Sequence, residues 1–229
     1  IYAGSLSSNI ARLFFHNNKI YFVADDGING HELWTLNTTP PSQFGQSGTI
    51  TLDGHNQYIS TTNPNFYMDN FTIEGWFKTE PNITEGAIVS VYNPINNGAA
   101  ITVQINTDVT KAPIGTLRGT MRTTPSGTGG INVYGTALVN DGNWHHFALV
   151  RKNDDKIHLY IDGVFDQSSI NSQTDIGNNT YTLNVGRNIP VIGLGPGSRY
   201  FEGELDEIRL WDKTLTDSEI SANYNIETI

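Results

Sequence analysis

Three carboxylates at alternate positions near the C-terminus are the residues whose spacing is closest to that of a reactive centre. Glu202, Glu204 and Asp206 occupy every second position, so they share one face of any strand formed there. Hydrolysis of a glycosidic bond requires an acid and a base or nucleophile a few ångströms apart. Glu207 falls on the opposite face. This segment therefore defines the enzymatic hypothesis for the chain.

Histidine and cysteine offer no second reactive centre. The chain has six histidines and no cysteine. His145 and His146 are adjacent, so on a strand they point to opposite faces and do not share a metal ion. The other four histidines are scattered, without the spacing of a zinc site or of a serine, histidine and aspartate triad. We predict structural roles for the pair.

Polar residues on the middle strands are the candidates for ligand binding. They alternate with apolar residues, so they face away from the predicted core. Arginine and amide side chains hydrogen-bond to sugar hydroxyls or carboxylates, and tyrosine offers a stacking face. A solvated outer sheet would carry the same residues. The candidates are Gln104, Arg118, Arg122, Asn132 and Tyr134 on strands, and Asn97 in the loop 93–98; the Gly-rich loop 187–199 is a further contact surface.

The composition predicts an all-β protein and excludes two classes of partner. Glycine occurs 23 times and proline nine times, which is typical of short strands joined by turns. Acidic residues outnumber basic ones 23 to 13, so a nucleic acid partner is not expected. No apolar run approaches the roughly 20 residues that span a bilayer, so we expect no membrane insertion.

Short strand-like runs recur from residue 49 to residue 211, and the pattern predicts a two-sheet antiparallel β-sandwich or jelly roll. Ile101, Val103 and Ile105 alternate with polar residues and are predicted to face the core, as are Leu117 and Met121. A hairpin turn is predicted at Asp162-Gly163. One short C-terminal helix is predicted, since Thr216 and Glu219 form a capping box. The runs are 49–53, 56–61, 70–79, 86–92, 99–106, 114–122, 131–139, 144–152, 156–162, 180–186 and 200–211.

The N-terminal region is predicted to be a separate β-hairpin. Residues 19–25 and 31–36 are two β-type runs on either side of a Gly- and Asn-rich turn. Residues 37–48 contain two consecutive prolines with nearby Gly and Ser, and are predicted to form a linker. The expected division is therefore residues 1–36, the linker 37–48 and a main domain at 49–229.

Four stretches of the main domain, taken in order, carry a resemblance to a known family. Residues 50–59, 71–77, 142–164 and 201–220 resemble the laminin-G-like jelly roll of the concanavalin A-like lectin and glucanase superfamily. Residues 21–34 resemble the ELWxxDGT repeats of large bacterial surface or secreted proteins. The closing Asp-Gly-Thr is replaced there by Asn-Thr-Thr, so this repeat is degenerate or terminal.

The resemblance implies a structural calcium ion near the first and last strands, held by carbonyl and carboxylate oxygens. The matching positions are Asp206 and, more weakly, Asp53. The alternatives are that Asp206 pairs with Arg209 or an amide, and that Asp53 shapes the turn at Gly54. Glucan-cleaving members carry a Glu-x-Asp-x-Glu strand in mid-domain. Here the order differs and the strand lies near the end, so we expect no catalytic residue.

These patterns together predict a non-catalytic binding module that recognises a glycan or an extracellular protein, with calcium as a candidate cofactor. A larger, multidomain parent chain is expected, because the sequence begins at Ile1 without a start methionine or a signal-like segment. The resemblance to ELWxxDGT repeats implies a secreted or surface-anchored bacterial protein. The alternatives are a structural spacer or adhesion domain without a small ligand and, least favoured, a glucan-cleaving hydrolase.

Overall fold

The structure is a computed structural model of the 229-residue chain. It describes residues 12–16, 19–25, 31–37, 49–62, 70–92, 100–122, 130–152, 154, 156–169, 182–188 and 199–226. The linker predicted at 37–48 lies outside these residues, except for Asn37. The domain boundaries at 36 and 49 therefore stay predictions.

The N-terminal region contains a three-stranded antiparallel sheet. Its strands are β1 (Arg12–His16), β2 (Lys19–Asp25) and β3 (His31–Asn37), in the order β1-β2-β3. Strands β2 and β3 pair from Lys19 and Asn37 to Asp25 and His31, which confirms the predicted hairpin. The sequence analysis did not predict β1, which adds a third strand to it.

Fourteen further strands are described after residue 49, most of them in two six-stranded antiparallel sheets. The first sheet has the order β10-β9-β8-β7-β14-β5 and the second β13-β12-β11-β6-β17-β4, while β15 and β16 form a short ribbon. The prediction of a two-sheet antiparallel sandwich is thereby confirmed. The strands are β4 (Ile50–Asp53), β5 (Ile59–Thr62), β6 (Phe71–Lys78), β7 (Ala87–Tyr92), β8 (Ala100–Ile105), β9 (Leu117–Arg122), β10 (Ile131–Tyr134), β11 (Trp144–Arg151), β12 (Ile157–Ile161), β13 (Val164–Ser168), β14 (Thr182–Val185), β15 (Arg187–Asn188), β16 (Arg199–Tyr200) and β17 (Glu202–Trp211).

The core lies between the two sheets and is built from alternate residues of their strands. Ile101, Val103 and Ile105 of β8 are fully buried, as predicted, and pack in one cluster with Phe77 of β6 and Phe147 of β11. Burial of a side chain of this size contributes roughly 1.5–3 kcal/mol. Because the core takes every second residue, the intervening residues of the first sheet point away from it, although Ser90, Thr102, Gln104, Thr120 and Asn184 are at most 4% exposed.

Gly119 marks a point where the two sheets approach each other closely. It lies on the core side of β9, and a Cβ atom built on it would stand 2.5 Å from Cδ1 of Leu149 in the second sheet and 2.8 Å from Cγ1 of Val133. Contacts this short require neighbouring side chains to move. Glycine at position 119 therefore allows β9 of the first sheet to pack closely against β11 of the second.

The turn between β12 and β13 has the predicted hairpin geometry. Ile161 pairs with Val164 across Asp162 and Gly163, which have φ angles of 50° and 74°. Two central residues with positive φ are typical of the tight type I′ hairpin turn. The side chain of Asp162 also accepts a hydrogen bond from the His146 amide at 2.9 Å, so the turn is attached to β11.

Helix α1 (Asp217–Ile226) covers the outward face of the second sheet. The predicted capping box is present: Thr216 Oγ1 accepts from the Glu219 amide at 3.2 Å, and the Glu219 carboxylate accepts from the Thr216 amide at 2.8 Å. Ile220 is fully buried against Val150 and Tyr160 of the sheet. The helix therefore covers the second sheet, and no described helix packs on the outward face of the first.

A buried polar group lies beneath the helix. Glu74 is fully buried, and its Oε1 accepts hydrogen bonds from Trp211 Nε1 at 2.9 Å and Asn223 Nδ2 at 2.8 Å. Tyr224 stacks on Trp76 with ring centroids 5.3 Å apart. These contacts attach the helix to β6 and β17 through specific partners as well as apolar area.

Two predicted strands are shorter than the sequence indicated. The run 114–122 forms a strand only from Leu117, because Gly115 has a φ of 89° and the preceding residues form a turn. The side chain of Asn106 holds that turn by donating to the carbonyl oxygens of Ala112 and Pro113. The run 131–139 ends at Tyr134, after which the chain leaves the sheet.

Candidate functional site

A continuous row of hydrogen-bonding side chains crosses the outward face of the first sheet. Directly paired residues of antiparallel strands project to the same face, about 4.5–5.5 Å apart. Each member of the row pairs with the next across all six strands. The row consists of Asn132, Thr120, Thr102, Ser90, Asn184 and Ser60. We call this surface, together with the outward residues next to the row, the polar face.

Arg118 organises one end of the polar face. Its Nε and Nη2 donate to Oδ1 of Asn132 at 3.0 and 2.8 Å, and the same oxygen accepts from Thr120 Oγ1 at 2.9 Å. The guanidinium carbon lies 5.5 Å from the ring centroid of Tyr134, and Gln104 pairs with Arg118 in the sheet. These contacts hold the arginine and the aromatic ring in a defined orientation.

Arg122 brings a second guanidinium to the same face. It lies four residues after Arg118 on β9, so both side chains project to the same side of the sheet. Burial lowers the pKa of Arg122, and the positive charges of Arg118 and of Arg199, the first residue of β16, lower it further.

The other end of the polar face carries an arginine stacked on an aromatic ring. The guanidinium carbon of Arg187 lies 3.4 Å from the ring centroid of Tyr58, which is a close cation–π contact. Arg187 Nε also donates to Asn184 Oδ1 at 3.1 Å. Tyr200 completes this group, with its ring centroid 6.2 Å from that of Tyr58.

Two buried amide groups on the polar face lack hydrogen-bond acceptors. Gln104 and Asn184 are 3% and 0% exposed, and Gln104 Nε2 and Asn184 Nδ2 have no hydrogen-bond partner among the described residues. Buried donors of this kind are few in folded proteins, and each calls for an explanation. Both are N–H groups, so a group that satisfied them would contribute oxygen atoms.

The structure brings five of the six predicted ligand-binding residues onto one surface. Gln104, Arg118, Arg122, Asn132 and Tyr134 all lie on the polar face, while Asn97 lies outside the described residues. The sequence analysis did not single out Tyr58, Asn184, Arg187, Arg199 or Tyr200 as individual residues. The loop 187–199, which it named as a contact surface, is the one signal that pointed to these arginines.

The two aspartates predicted to bind calcium do not fit one shared ion. Asp53 pairs with Glu202 in the sheet, and Asp206 lies four residues further along β17, a distance of about 13 Å. The oxygens around calcium lie 2.3–2.6 Å from the ion, so both carboxylates cannot reach it. Among the described residues, no group of three or more His, Asp or Glu side chains is arranged to hold a metal ion.

Each aspartate instead accepts a local backbone hydrogen bond. Asp53 Oδ1 accepts from the His55 amide at 3.0 Å, and Asp206 Oδ1 from the Glu207 amide at 2.8 Å. Burial raises the pKa of Asp206, and the charge of Glu207 acts in the same direction. The contacts are those of the alternatives in which Asp206 pairs with an amide and Asp53 shapes a turn.

The carboxylates that defined the enzymatic hypothesis lie away from the polar face. Glu202 and Glu204 line a cleft of about 230 Å³ at the edge of the second sheet, together with Glu80 and Lys78. Glu204 Oε1 forms an ion pair with Lys78 Nζ at 3.1 Å.

A protein-family model matches most of the chain. The laminin G family model of the concanavalin A-like lectin/glucanases superfamily matches residues 53–221. The chain belongs to this superfamily. No curated protein sequence matches the chain at a significant level. The matched segment runs from the last residue of β4 into α1, and it contains the whole row of the polar face.

Solved structures with the same concanavalin A-like fold come from animals and bacteria. A pentraxin similar to serum amyloid P from Limulus polyphemus has a TM-score of 0.56 and 19% identity, and the match covers 76% of this chain and 79% of that one. Domains LG4-5 of the mouse laminin α1 chain have a TM-score of 0.56 and 15% identity, and the match covers 75% of this chain and 44% of that one. The CBM40 domain of the Ruminococcus gnavus IT-sialidase, with α2,3-sialyllactose bound, has a TM-score of 0.55 and 15% identity, and the match covers 77% of this chain and 96% of that one.

These concanavalin A-like neighbours establish the fold, because all three identities are below 20%. The family and the neighbours are those of laminin G domains, a carbohydrate-binding module and receptor-binding domains. No helix within the described part of the chain is both long and apolar enough to span a bilayer.

Proposed function

We propose that the main domain is a non-catalytic carbohydrate-recognition module and that the polar face of the first sheet is its binding surface. The observation that carries this proposal is the row of hydroxyl and amide side chains across six strands, with Tyr134 beside it. Sugar hydroxyls both donate and accept hydrogen bonds, as these side chains do. A tyrosine ring adds a stacking surface for the apolar face of a sugar.

The comparisons support a binding role of this kind. The CBM40 domain is a carbohydrate-binding module with a bound sialyllactose, and several other neighbours are receptor-binding domains of botulinum neurotoxins. The proposed setting is a larger secreted or surface-anchored bacterial protein. The resemblance of residues 21–34 to ELWxxDGT repeats supports this setting.

A binding role fits the polar face better than catalysis does. Hydrolysis of a glycosidic bond needs two carboxyl groups about 5–10 Å apart on either side of the scissile bond. Every residue of the described row is a hydroxyl or amide, and the carboxylates Glu202 and Glu204 lie at another edge of the sandwich. We expect no release of reducing sugar when the protein is incubated with a panel of β-glucans.

The proposal is tested by binding of the purified protein to a broad glycan array, with calcium and again with a chelator. Replacement of Tyr134 by alanine is expected to weaken binding about three- to tenfold, because a stacking contact contributes about 0.5–1.5 kcal/mol. Phe165→Ala is the matched control, since this exposed aromatic residue lies on β13 of the second sheet. Its binding should equal that of the unmodified protein.

The array also distinguishes the remaining candidates. Binding that disappears on chelation would establish a calcium-dependent module with ligands other than the pair Asp53 and Asp206. Absence of binding to every glycan in both conditions would overturn the proposal and favour a spacer or a protein-contact domain. Release of reducing sugar that is lost in Glu204→Gln would establish a hydrolase.

A further inference from the structure

Two members of the polar row are inaccessible to a ligand in this structure. Ser90 and Asn184 are both 0% exposed, although no described helix packs on the outward face of their sheet. A fully buried side chain makes no hydrogen bond to a ligand. The proposed binding role therefore requires a part of the protein to move away from this end of the row.

Arg187, the first residue of β15, lies over this end of the polar face. Its carbonyl oxygen accepts a hydrogen bond from Ser90 Oγ at 2.9 Å, and its Nε donates to Asn184 Oδ1 at 3.1 Å. The guanidinium carbon stands 3.4 Å from the ring centroid of Tyr58, which is van der Waals contact. The side chain thus occupies the acceptor atom of Asn184 and leaves no space for a sugar on that face of the Tyr58 ring.

The backbone of Arg187 is held more firmly than its side chain. Arg187 pairs with Tyr200 in the β15–β16 ribbon, and the preceding amide, that of Gly186, donates to the Ile88 carbonyl oxygen at 2.8 Å. The described contacts of the side chain are one hydrogen bond and one cation–π contact. Rotation about the side-chain bonds breaks only these two contacts, so the guanidinium can leave while the strand stays in place.

Departure of the guanidinium uncovers a donor, an acceptor and an aromatic surface in one place. Asn184 Nδ2 has no acceptor among the described residues, and Asn184 Oδ1 becomes free once Arg187 Nε has left it. Sugar hydroxyls both accept and donate, so two adjacent hydroxyls match this amide. The uncovered face of Tyr58 then supplies a stacking surface.

We propose that the Arg187 side chain is a gate, which covers Asn184 and Tyr58 and must swing away before a glycan binds at this end of the polar face. The inference rests on the proposed carbohydrate-binding function and adds how that surface is regulated. A site that is open for a fraction of the time binds more weakly by that fraction. At the other end, the guanidinium carbon of Arg118 is 5.5 Å from the Tyr134 ring centroid, so that ring is not covered in the same way. The gate therefore acts on long glycans, which reach both ends of the row.

The first test compares Arg187→Ala with the unmodified protein on sugars of two lengths. The probes are cellohexaose, laminarihexaose and mannohexaose, each beside its disaccharide, and affinity is measured by isothermal titration calorimetry. Removal of the gate should raise the affinity for at least one hexasaccharide about tenfold and leave that for its disaccharide unchanged. An equal or lower affinity of the variant for every hexasaccharide would overturn the gate.

Lys213→Ala is the matched control for Arg187→Ala. Lys213 is also a cation over an aromatic ring, with Nζ 5.6 Å from the ring centroid of Trp211, but this pair belongs to the second sheet and its helix. The control should bind all six sugars as the unmodified protein does. Circular dichroism and the unfolding temperature verify that both variants are folded.

A double variant tests whether Tyr58 is the surface that the gate covers. Addition of Tyr58→Ala to Arg187→Ala should cancel most of the gain in affinity for the hexasaccharide, because the uncovered ring provides the new contact. A gain that persists in full without the Tyr58 ring would overturn this part of the proposal.

The Nε–H signal of Arg187 in an NMR spectrum tests the gate in the unmodified protein, so the test does not depend on a variant that folds. The Tyr58 ring displaces this signal in the closed position. A saturating hexasaccharide should move the signal towards that of a solvent-exposed arginine, and an unchanged signal in the complex would overturn the gate.

The results separate the gate from the carbohydrate-binding function. Absence of binding of all six sugars, both to the unmodified protein and to Arg187→Ala, would overturn the gate, because the uncovered Asn184 and Tyr58 would then hold no sugar. Binding on the broad glycan array would leave the carbohydrate-binding function standing in that case. Absence of binding to every glycan of the array would overturn both.

Discussion

Replacing His146 with phenylalanine is expected to remove much of the loss of stability that the domain suffers between pH 7 and pH 5. The side chain of His146 is fully buried, with its ring centroid 5.3 Å from that of Trp76. Neither ring nitrogen has a hydrogen-bond partner within the described part of the chain. Protonation of the ring in this position would place a charge in an apolar environment without compensation.

The pKa of His146 is lowered to about 4, first by burial and then by the positive charge of Arg209, while Asp162 acts in the opposite direction. The nearest carboxylate oxygen, Glu74 Oε2, lies 3.8 Å from Nε2, which is too long for a hydrogen bond. This distance by itself would permit an ion pair. The lowered pKa shows instead that His146 is neutral near pH 7.

The size of the effect follows from the two pKa values. The unfolded chain has a histidine pKa of about 6.5, whereas the folded value is about 4. Below pH 6.5 the unfolded state therefore binds a proton that the folded state does not, and stability falls as the pH falls. The loss amounts to about 2 kcal/mol between pH 7 and pH 5, and about 3 kcal/mol by pH 4.

The assay is urea denaturation of the unmodified protein and of His146→Phe at pH 7, 6 and 5. The free energy of unfolding of the unmodified protein should fall by about 2 kcal/mol more than that of the variant over this range. Other titrating groups contribute to both proteins, so they cancel in the difference. A ring titration by NMR gives the pKa of His146 directly in the unmodified protein. Parallel stability curves together with a ring titration near pH 6.5 would refute the argument.

Two further predictions concern the neighbouring histidine and the packing of the sheets. Burial disfavours the charged form of His145, but hydrogen bonds and charges from Asp162 and Asp141 outweigh it and raise its pKa. This contribution to stability is full below the unfolded pKa and is lost as the pH rises through the folded pKa. Asp162→Asn should therefore lower the pKa of His145, measured by NMR, and an unchanged pKa would contradict this assignment. Gly119→Ala should lower the free energy of unfolding by about 1–3 kcal/mol, because the added Cβ meets Leu149 and Val133. Urea denaturation measures this loss, and a variant as stable as the unmodified protein would show that the sheets do not pack as described.

Local patterns in the sequence predicted the elements that depend on neighbouring residues. The alternation in β8 and β9 assigned Ile101 and Met121 to the core and Gln104 and Arg118 to the outward face. The turn at Asp162 and Gly163 was predicted from two residues. These features could be predicted because side-chain direction in a strand and φ in a tight turn depend on local geometry.

Irregular backbone limited the predictions near the end of the chain. Strict alternation would place Glu207 on the face opposite to Glu204 and Asp206. The register of β17 against β6 shifts between Asp206 and Arg209, and Glu207 has a φ of 50°. A bulge of this kind interrupts the alternation at a single residue, and the amino-acid types around it do not show it in advance.

The sequence by itself determined the all-β class, the outward side of the candidate residues on β8, β9 and β10, and the capped helix. Only the tertiary structure decided which residues meet. Gln104 pairs with Arg118 across β8 and β9, and Arg187 stacks on Tyr58 beside the β14–β5 pair. The pairing of β17 with β4 places Asp53 opposite Glu202, four residues from Asp206. Strand order and register between distant segments arise from packing of the whole core, so hydrophobic periodicity within one segment does not contain them.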